Sequence, residues 1–224
     1  MSLRPAKKSD LAKSWTRSSR RATFKMQLGH HLIVTEGIKT EPNYFNGLKK
    51  AIDKTNRKDK LCIKVKGQGS NTTELVDCAK LLARRSGIAF QHIWLVYDKD
   101  DFPDDKFNQV VNLCEEATTS ETDFHAIWSN QCVELWYLLH FAFYQTDIHR
   151  TDYLKKLTRH LKKLGVGDYT KNRDDMFDVL LPHLTTAIAN AERLDTQNEG
   201  KTPATSSPGT KMHVMLKYFK PYLK

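Results

Sequence analysis

The run Leu32-Ile33-Val34-Thr35-Glu36-Gly37 constrains this chain more than any other stretch, because consecutive aliphatic residues lead directly into an acid and a glycine. The run is too short for a helical span and too continuous for a strand with one wet face, which predicts a parallel strand covered on both sides. Glu36 then falls at the carboxyl end of that strand, where open α/β sheets bind ligands. Gly37 lets the backbone turn there without a Cβ clash. Pro42 suits the first turn of a helix, with Thr40 its expected cap. A second stretch repeats the design: Phe90-Gln91-His92-Ile93-Trp94-Leu95-Val96-Tyr97 runs into Asp98-Lys99-Asp100-Asp101. Along an extended chain residues i and i+2 share a side, so Asp98 and Asp100 are expected to face a common point, with Lys99 turned away. If the two strands are neighbours, Glu36, Asp98 and Asp100 converge. Such a cluster repels itself unless it holds a cation or shares a proton.

The rest of the chain alternates in the same way. Tyr44, Phe45, Leu48 and Ile52 give a helix from Pro42 to about Lys54 one buried face, and Leu61-Cys62-Ile63-Lys64-Val65 reads as a second strand. Gly67-Gln68-Gly69-Ser70-Asn71-Thr72-Thr73 leads into a helix over 73–85. Its glycines can cradle phosphate, but the loop lacks the Lys-Ser/Thr of a P-loop and the third glycine of a dinucleotide fingerprint, so a plain strand-to-helix turn is the stronger reading. Asp104 to Thr118 reads as a helix with Phe107, Val110, Val111 and Cys114 inward, and Phe124-His125-Ala126-Ile127-Trp128 as a fourth strand. Strands alternating with helices predict a four-stranded parallel α/β sheet with right-handed crossovers; a 2-1-3-4 order sets strands one and three side by side. Ser129 or Asn130 is the expected cap of the next helix, with Glu134 in its first or second turn. An acid there favours the helix dipole, yet it also lies just past the fourth strand's carboxyl end, so a structural and a site role both stand.

From Thr151 the chain is helical and charged. Leu154, Leu157, Leu161 and Leu164 mark one helix face, with Lys155, Lys156, Arg159, Lys162 and Lys163 on the others. That basic surface either receives a nucleic-acid backbone or is simply solvated. Further helices are expected over 174–184 and 185–195, then a long loop over 196–210, mobile or completed by substrate, and a closing helix over 211–222. The organisation expected is a basic arm (1–28), an α/β domain (29–145) and a helical part packed on it (146–224).

Charge is unevenly placed. Residues 1–25 hold eight cations, Arg17, Arg20 and Arg21 among them, against Asp10 alone, so the arm carries +7 of a formal +10. A cationic arm fits phosphate contact on a nucleic acid, or serves as a solvated tail that aids solubility. Cys62, Cys78, Cys114 and Cys132 form no C-x-x-C pair, which predicts reduced thiols and a cytoplasmic protein. No secretion signal is expected at the start. The longest nearly apolar run, Val133 to Tyr144, is broken by Glu134 and His140 and is too short to span a bilayer, so no membrane partner is expected. The nine histidines are scattered and read as structural, with His140 buried against its helix.

A strand ending in Glu-Gly and a later one ending in Asp-x-Asp resembles the Toprim domain of topoisomerases, primases and OLD-type nucleases. More narrowly, Val34-Thr35-Glu36-Gly37-Ile38-Lys39-Thr40-Glu41-Pro42-Asn43-Tyr44-Phe45, Val96-Tyr97-Asp98-Lys99-Asp100 and Ser129-Asn130-Gln131-Cys132-Val133-Glu134-Leu135-Trp136-Tyr137-Leu138-Leu139-His140-Phe141 resemble the RloB-like (AbiLii-type) proteins of bacterial defence loci. Weaker matches follow at Ala187 to Glu192 and Thr210 to His213. The family's Asn-Pro before Cys132 is Asn130-Gln131 here, which touches the start of a helix and not the acid. The resemblance implies a Toprim/Rossmann-like sheet with a C-terminal helical part, and a nuclease acting on RNA such as tRNA, or on DNA, in anti-phage or abortive-infection defence. It also implies a possible AAA/ABC-type ATPase partner encoded nearby, and Lys171 matches a Tyr-x-Lys position of the family. The competing class is a non-enzymatic subunit with a degenerate Toprim fold that docks on nucleic acid or on an ATPase; retention of all three core acids argues against it. The chain is too short for a topoisomerase or a primase.

Carboxylate oxygens, scarce histidine at the candidate site and no thiolate cluster favour Mg²⁺ or Mn²⁺ over zinc. Asp98 and Asp100 are the expected ligands, and Glu36 a ligand or proton carrier. Glu134 is a candidate anchor for a second cation, and Lys39 and Lys171 are candidates to offset charge on a transition-state phosphate.

Overall fold

The computed structural model describes residues 29–55, 61–67 and 72–223, and in it the apolar runs form one sheet. β1 (Gly29–Thr35) leads to α1 (Thr40–Lys54), β2 (Leu61–Gly67), α2 (Leu75–Ser86), β3 (His92–Asp98), α3 (Asp104–Ala117), β4 (Asp123–Asn130) and α4 (Glu134–Leu139). A helical segment follows, α5 (Arg150–Lys163), α6 (Met176–Leu180) and α7 (Leu184–Gln197), then β5 (Gly209–Thr210) and α8 (Met212–Phe219). The basic arm, with Arg17, Arg20 and Arg21, and the loop residues Gln68 to Asn71 lie outside the described residues.

Strand order is β2-β1-β3-β4-β5. The first four strands are parallel, and β1 neighbours β3 with Ile33 opposite Trp94 and Thr35 opposite Val96. The fifth strand is a departure from the expected four. It pairs antiparallel with the end of β4, Ser129 opposite Thr210 and Asn130 opposite Gly209. The segment 196–210 is therefore not the free loop that its composition suggests. α7 runs on to Gln197, Asn130 Nδ2 donates to the carbonyls of Pro203 (3.2 Å) and Ala204 (2.8 Å), and Asn198 Nδ2 donates to Pro208 (2.9 Å). Amide side chains here satisfy carbonyls that would otherwise be left to water.

Alternation along β1 and β3 feeds two cores. Leu32, Val34, Ile93, Leu95 and Tyr97 pack against Leu75 and Val76 of α2 and Phe107, Val110 and Cys114 of α3. Ile33, Trp94 and Val96 point the other way, onto Tyr44, Phe45 and Leu48 of α1 and the apolar faces of α4 to α8. The C-terminal helices and the sheet thus share one hydrophobic cluster. No described helix is long and apolar enough to cross a membrane.

Several boundaries differ from expectation, each for a local reason. α1 starts at Thr40, whose hydroxyl donates to the Lys171 carbonyl (2.8 Å) and makes no cap bond. β4 continues through Ser129 and Asn130, the expected caps, because β5 extends the ladder there; α4 begins only at Glu134. The helix expected over 174–184 stops at Leu180 and gives way to a 3-10 turn, Leu181–His183, where Pro182 lacks the N–H an α-helix needs. Leu164, expected on the apolar face, is 46% exposed just past the end of α5.

Candidate active site

The carboxyl ends of β1 and β3 open into a pocket of about 340 Å³ lined by Glu36, Lys39, Glu41, Asp98, Asp100, Glu134 and Lys171. Parallel pairing sets its first two acids. Glu36 follows β1, its N–H donating to the Val96 carbonyl (2.9 Å), and Glu36 Oε2 lies 3.4 Å from the Asp98 N–H at the end of β3. Asp98 Oδ2 accepts from the Val133 N–H (3.1 Å), while Asp98 Oδ1 is buried with no hydrogen-bond partner. Burial, followed by the charges of Glu41 and Glu134, holds the Asp98 carboxyl well above the usual carboxylate range; the Val133 N–H opposes this only in part.

Glu41 was not among the residues singled out from sequence. It sits in the first turn of α1, only 6% exposed, with its carboxylate against Gly37. A Cβ at Gly37 would lie 2.3 Å from Glu41 Oε2, so the glycine of the Glu-Gly pair makes room for a second acid. Burial raises the Glu41 pKa, with Glu134 and Glu36 adding to it and backbone N–H groups opposing. Glu134 opens α4 at 2% exposure and accepts from the Tyr169 hydroxyl (2.9 Å). Burial and this carboxylate push the Tyr169 phenol up.

Asp100 reaches the pocket by a different route from the one expected. β3 ends at Asp98, and Asp100 lies in a turn at φ 37°, where aspartate is among the residues that tolerate left-handed geometry. Its N–H donates to the Gln131 carbonyl (2.9 Å), across the cis Asn130–Gln131 peptide. Its carboxylate pairs with Arg150 at 2.7 Å, and the same guanidinium holds Asp101 at 2.9 Å. Lys99 does turn from the pocket, toward Asp104 (3.0 Å). The acids therefore line one pocket, but among the described residues no three of them bring oxygens within 4.8 Å of one another. Like charges spread, and Arg150 draws Asp100 outward.

Lys39 and Lys171 are exposed at the rim. The loop carrying Lys171 is anchored to α1 through Thr40 and through Asn43 Nδ2, which donates to the Asn172 carbonyl (3.1 Å). Arg173 stiffens it, donating to the carbonyls of Val166 (2.8 Å) and Asp168 (3.0 Å). The candidate nucleic-acid face of α5 is separate from the acid pocket. Lys155, Lys156 and Arg159 line their own groove of about 330 Å³ with Ile148 and Asp152, Lys162 pairs with Asp168 (2.8 Å), and Lys163 is exposed. His140 is buried, its Nδ1 on the Trp136 carbonyl (2.9 Å), and takes no part in the pocket.

Glu41, Arg150 and Tyr169 are the functional-site residues that sequence reasoning missed. Glu41 stands next to Thr40 and Pro42 and looks like an ordinary first-turn acid; Arg150 and Tyr169 reach the acids only by long-range contacts, with Asp100 and with Glu134. The donor set, oxygen from five carboxylates with one buried Asp98 oxygen unpartnered, suits a hard divalent cation in kind: Asp98, Glu36 and Glu41 would have to close together to hold it, with Asp100 and Glu134 lining the same pocket.

A family model described as RloB-like protein matches residues 31–218. No curated protein and no solved structure matches the chain significantly.

Proposed function

The chain belongs to the RloB-like family, and on that premise we propose that it is a metal-dependent nuclease of Toprim type, an effector of anti-phage defence that hydrolyses phosphodiesters of RNA such as tRNA, or of DNA. One observation carries the reading: a buried Asp98 oxygen without a partner faces further acids at the ends of adjacent parallel strands, an arrangement that costs stability unless a cation completes it. Asp98, Glu36 and Glu41 would hold Mg²⁺ or Mn²⁺, which would supply Lewis-acid charge for phosphodiester hydrolysis. Glu36, half-buried in the pocket, would serve as that ligand or, with Asp98 and Glu41 holding the cation without it, as the acceptor of the attacking water's proton. Lys39 and Lys171 at the rim steer the phosphate and offset its growing negative charge. Tyr169 keeps Glu134 in place, whereas Asp100 joins the cation only when its pair with Arg150 opens.

The test is cleavage of supercoiled DNA, single-stranded DNA and total tRNA by the full chain, with and without Mg²⁺ or Mn²⁺ and with any ATPase encoded nearby. Asp98→Asn and Glu36→Gln should abolish metal-dependent cutting and leave nucleic-acid binding intact or stronger, because negative charge facing phosphate has been removed. A parent that cuts nothing, or variants that cut as fast as the parent, would overturn the assignment. A second reading is favoured by the Arg150 pairs, which tie up Asp100 and Asp101 in the way a non-enzymatic docking subunit would tolerate. Binding of nucleic acid or of the ATPase without cleavage, unaffected by either variant, would support it.

A further inference from the structure

Three of the histidines that look scattered in sequence meet at the opposite end of the sheet. His31, His92 and Asp123 form one row across β1, β3 and β4, and Trp94 and His125 pair in the next row on the same face. His92 Nδ1 lies 3.0 Å from His125 Nε2 and 3.6 Å from Asp123 Oδ2. Ligand atoms of His92, Asp123 and His125 all fall within 4.8 Å of one another, a convergence the acid pocket does not reach.

We propose that His92, His125 and Asp123 form a second metal site, one that takes a borderline divalent cation of the zinc class. Bonds of about 2.0–2.2 Å in a tetrahedral shell place neighbouring donor atoms about 3.3–3.6 Å apart, and the observed separations of 3.0 and 3.6 Å need only a small adjustment to meet that span. A hydrogen bond between neutral imidazoles accounts for the 3.0 Å contact alone; 3.6 Å is too long for one to Asp123. Both rings are held in place before any cation arrives. His92 stacks on His31 (4.9 Å) and meets Tyr218 edge to face (5.1 Å), and His125 stacks on Trp94 at 4.0 Å. Burial lowers both imidazoles from their usual range, which favours the unprotonated form that ligates a metal. Two nitrogens and one carboxylate oxygen select zinc-class cations over Mg²⁺, which distinguishes this site from the acid pocket. Asp123 is half-exposed, so a cation can enter from solvent and keep a coordination position open. Bound there, it ties the first residue of β3 to the first of β4.

The experiment uses the full-length chain, freed of any affinity tag and stripped with chelator, titrated with Zn²⁺ by calorimetry and counted by elemental analysis. The parent should take up one equivalent at this site and gain thermal stability with added Zn²⁺. His125→Gln should lose that equivalent, and Asp123→Asn, a change at a half-exposed side chain that the fold tolerates, should weaken it by about tenfold or more. Asp98→Asn, in the acid pocket, should retain it. No zinc above the stripped baseline in the parent, undiminished binding in both His125→Gln and Asp123→Asn, or loss only in Asp98→Asn would each overturn the proposal.

Discussion

The two ends of the sheet place ionisable groups in opposite difficulties by the same physical means. At the amino end, burial depresses His31 to about 3 and His125 to about 4, so the imidazoles stay neutral. At the carboxyl end, burial and neighbouring charge raise Asp98 and Glu41, which favours their protonated forms over their ionised ones in the absence of a cation. Between pH 6.5 and about 3 an unfolded His31 binds a proton that the folded one refuses, and stability falls as pH drops. Above the usual carboxylate range the folded Asp98 and Glu41 keep protons that the unfolded chain has released, and metal-free stability falls as pH rises. One desolvation cost thus gives an acid-sensitive end and an end that is stabilised by cation.

The largest expected effect tests the amino end. From pH 7 to pH 4 the charging of His31 alone should cost about 3 kcal/mol of unfolding free energy, read by denaturant titration across pH. His31→Leu should flatten that limb, even though it leaves the Trp94 indole N–H, which now donates to His31 Nδ1 at 3.2 Å, without its partner. An unchanged slope would break the comparison. Next in size, Asp98→Asn should stabilise the metal-free protein by about 1–3 kcal/mol at pH 8 and reduce its loss of stability with rising pH. A destabilised variant at that pH would count against a strained acid end. Tyr169→Phe removes the hydroxyl from buried Glu134 and should cost about 1–2 kcal/mol, with Mg²⁺ recovering part of it by neutralising the acid; denaturation with and without Mg²⁺ reads this directly. Smallest is Arg150→Gln. Its pairs with Asp100 and Asp101 lie at the surface, so stability should move by less than about 1 kcal/mol, while Mn²⁺ affinity of the pocket should rise as Asp100 is released.

Sequence made the carboxyl end largely legible and the amino end not at all. Glu36 and Asp98 declare themselves because an acid directly after a β-branched run marks the end of a buried strand. Alternation of strands and helices gives the parallel sheet, and the order 2-1-3-4 is the one that sets strands one and three, with their acids, side by side. Glu41 was hidden, since a first-turn acid is normally exposed, and only the carboxylate packed on Gly37 shows otherwise. β5 was hidden because Gly209 and Thr210 carry no strand pattern and pair through the end of β4. His31, His92 and His125 are far apart in sequence and are brought together by register alone: a one-residue slip of β3 would turn His92 to the other face.

The central claim is that the carboxyl-end acids hold a divalent cation, and Mn²⁺ binding followed by electron paramagnetic resonance tests it without needing a substrate. The account predicts that the full chain binds Mn²⁺ and that Asp98→Asn and Glu36→Gln, each still folded by circular dichroism, weaken binding by about tenfold or more. Equal Mn²⁺ affinity in the parent and both variants would contradict it.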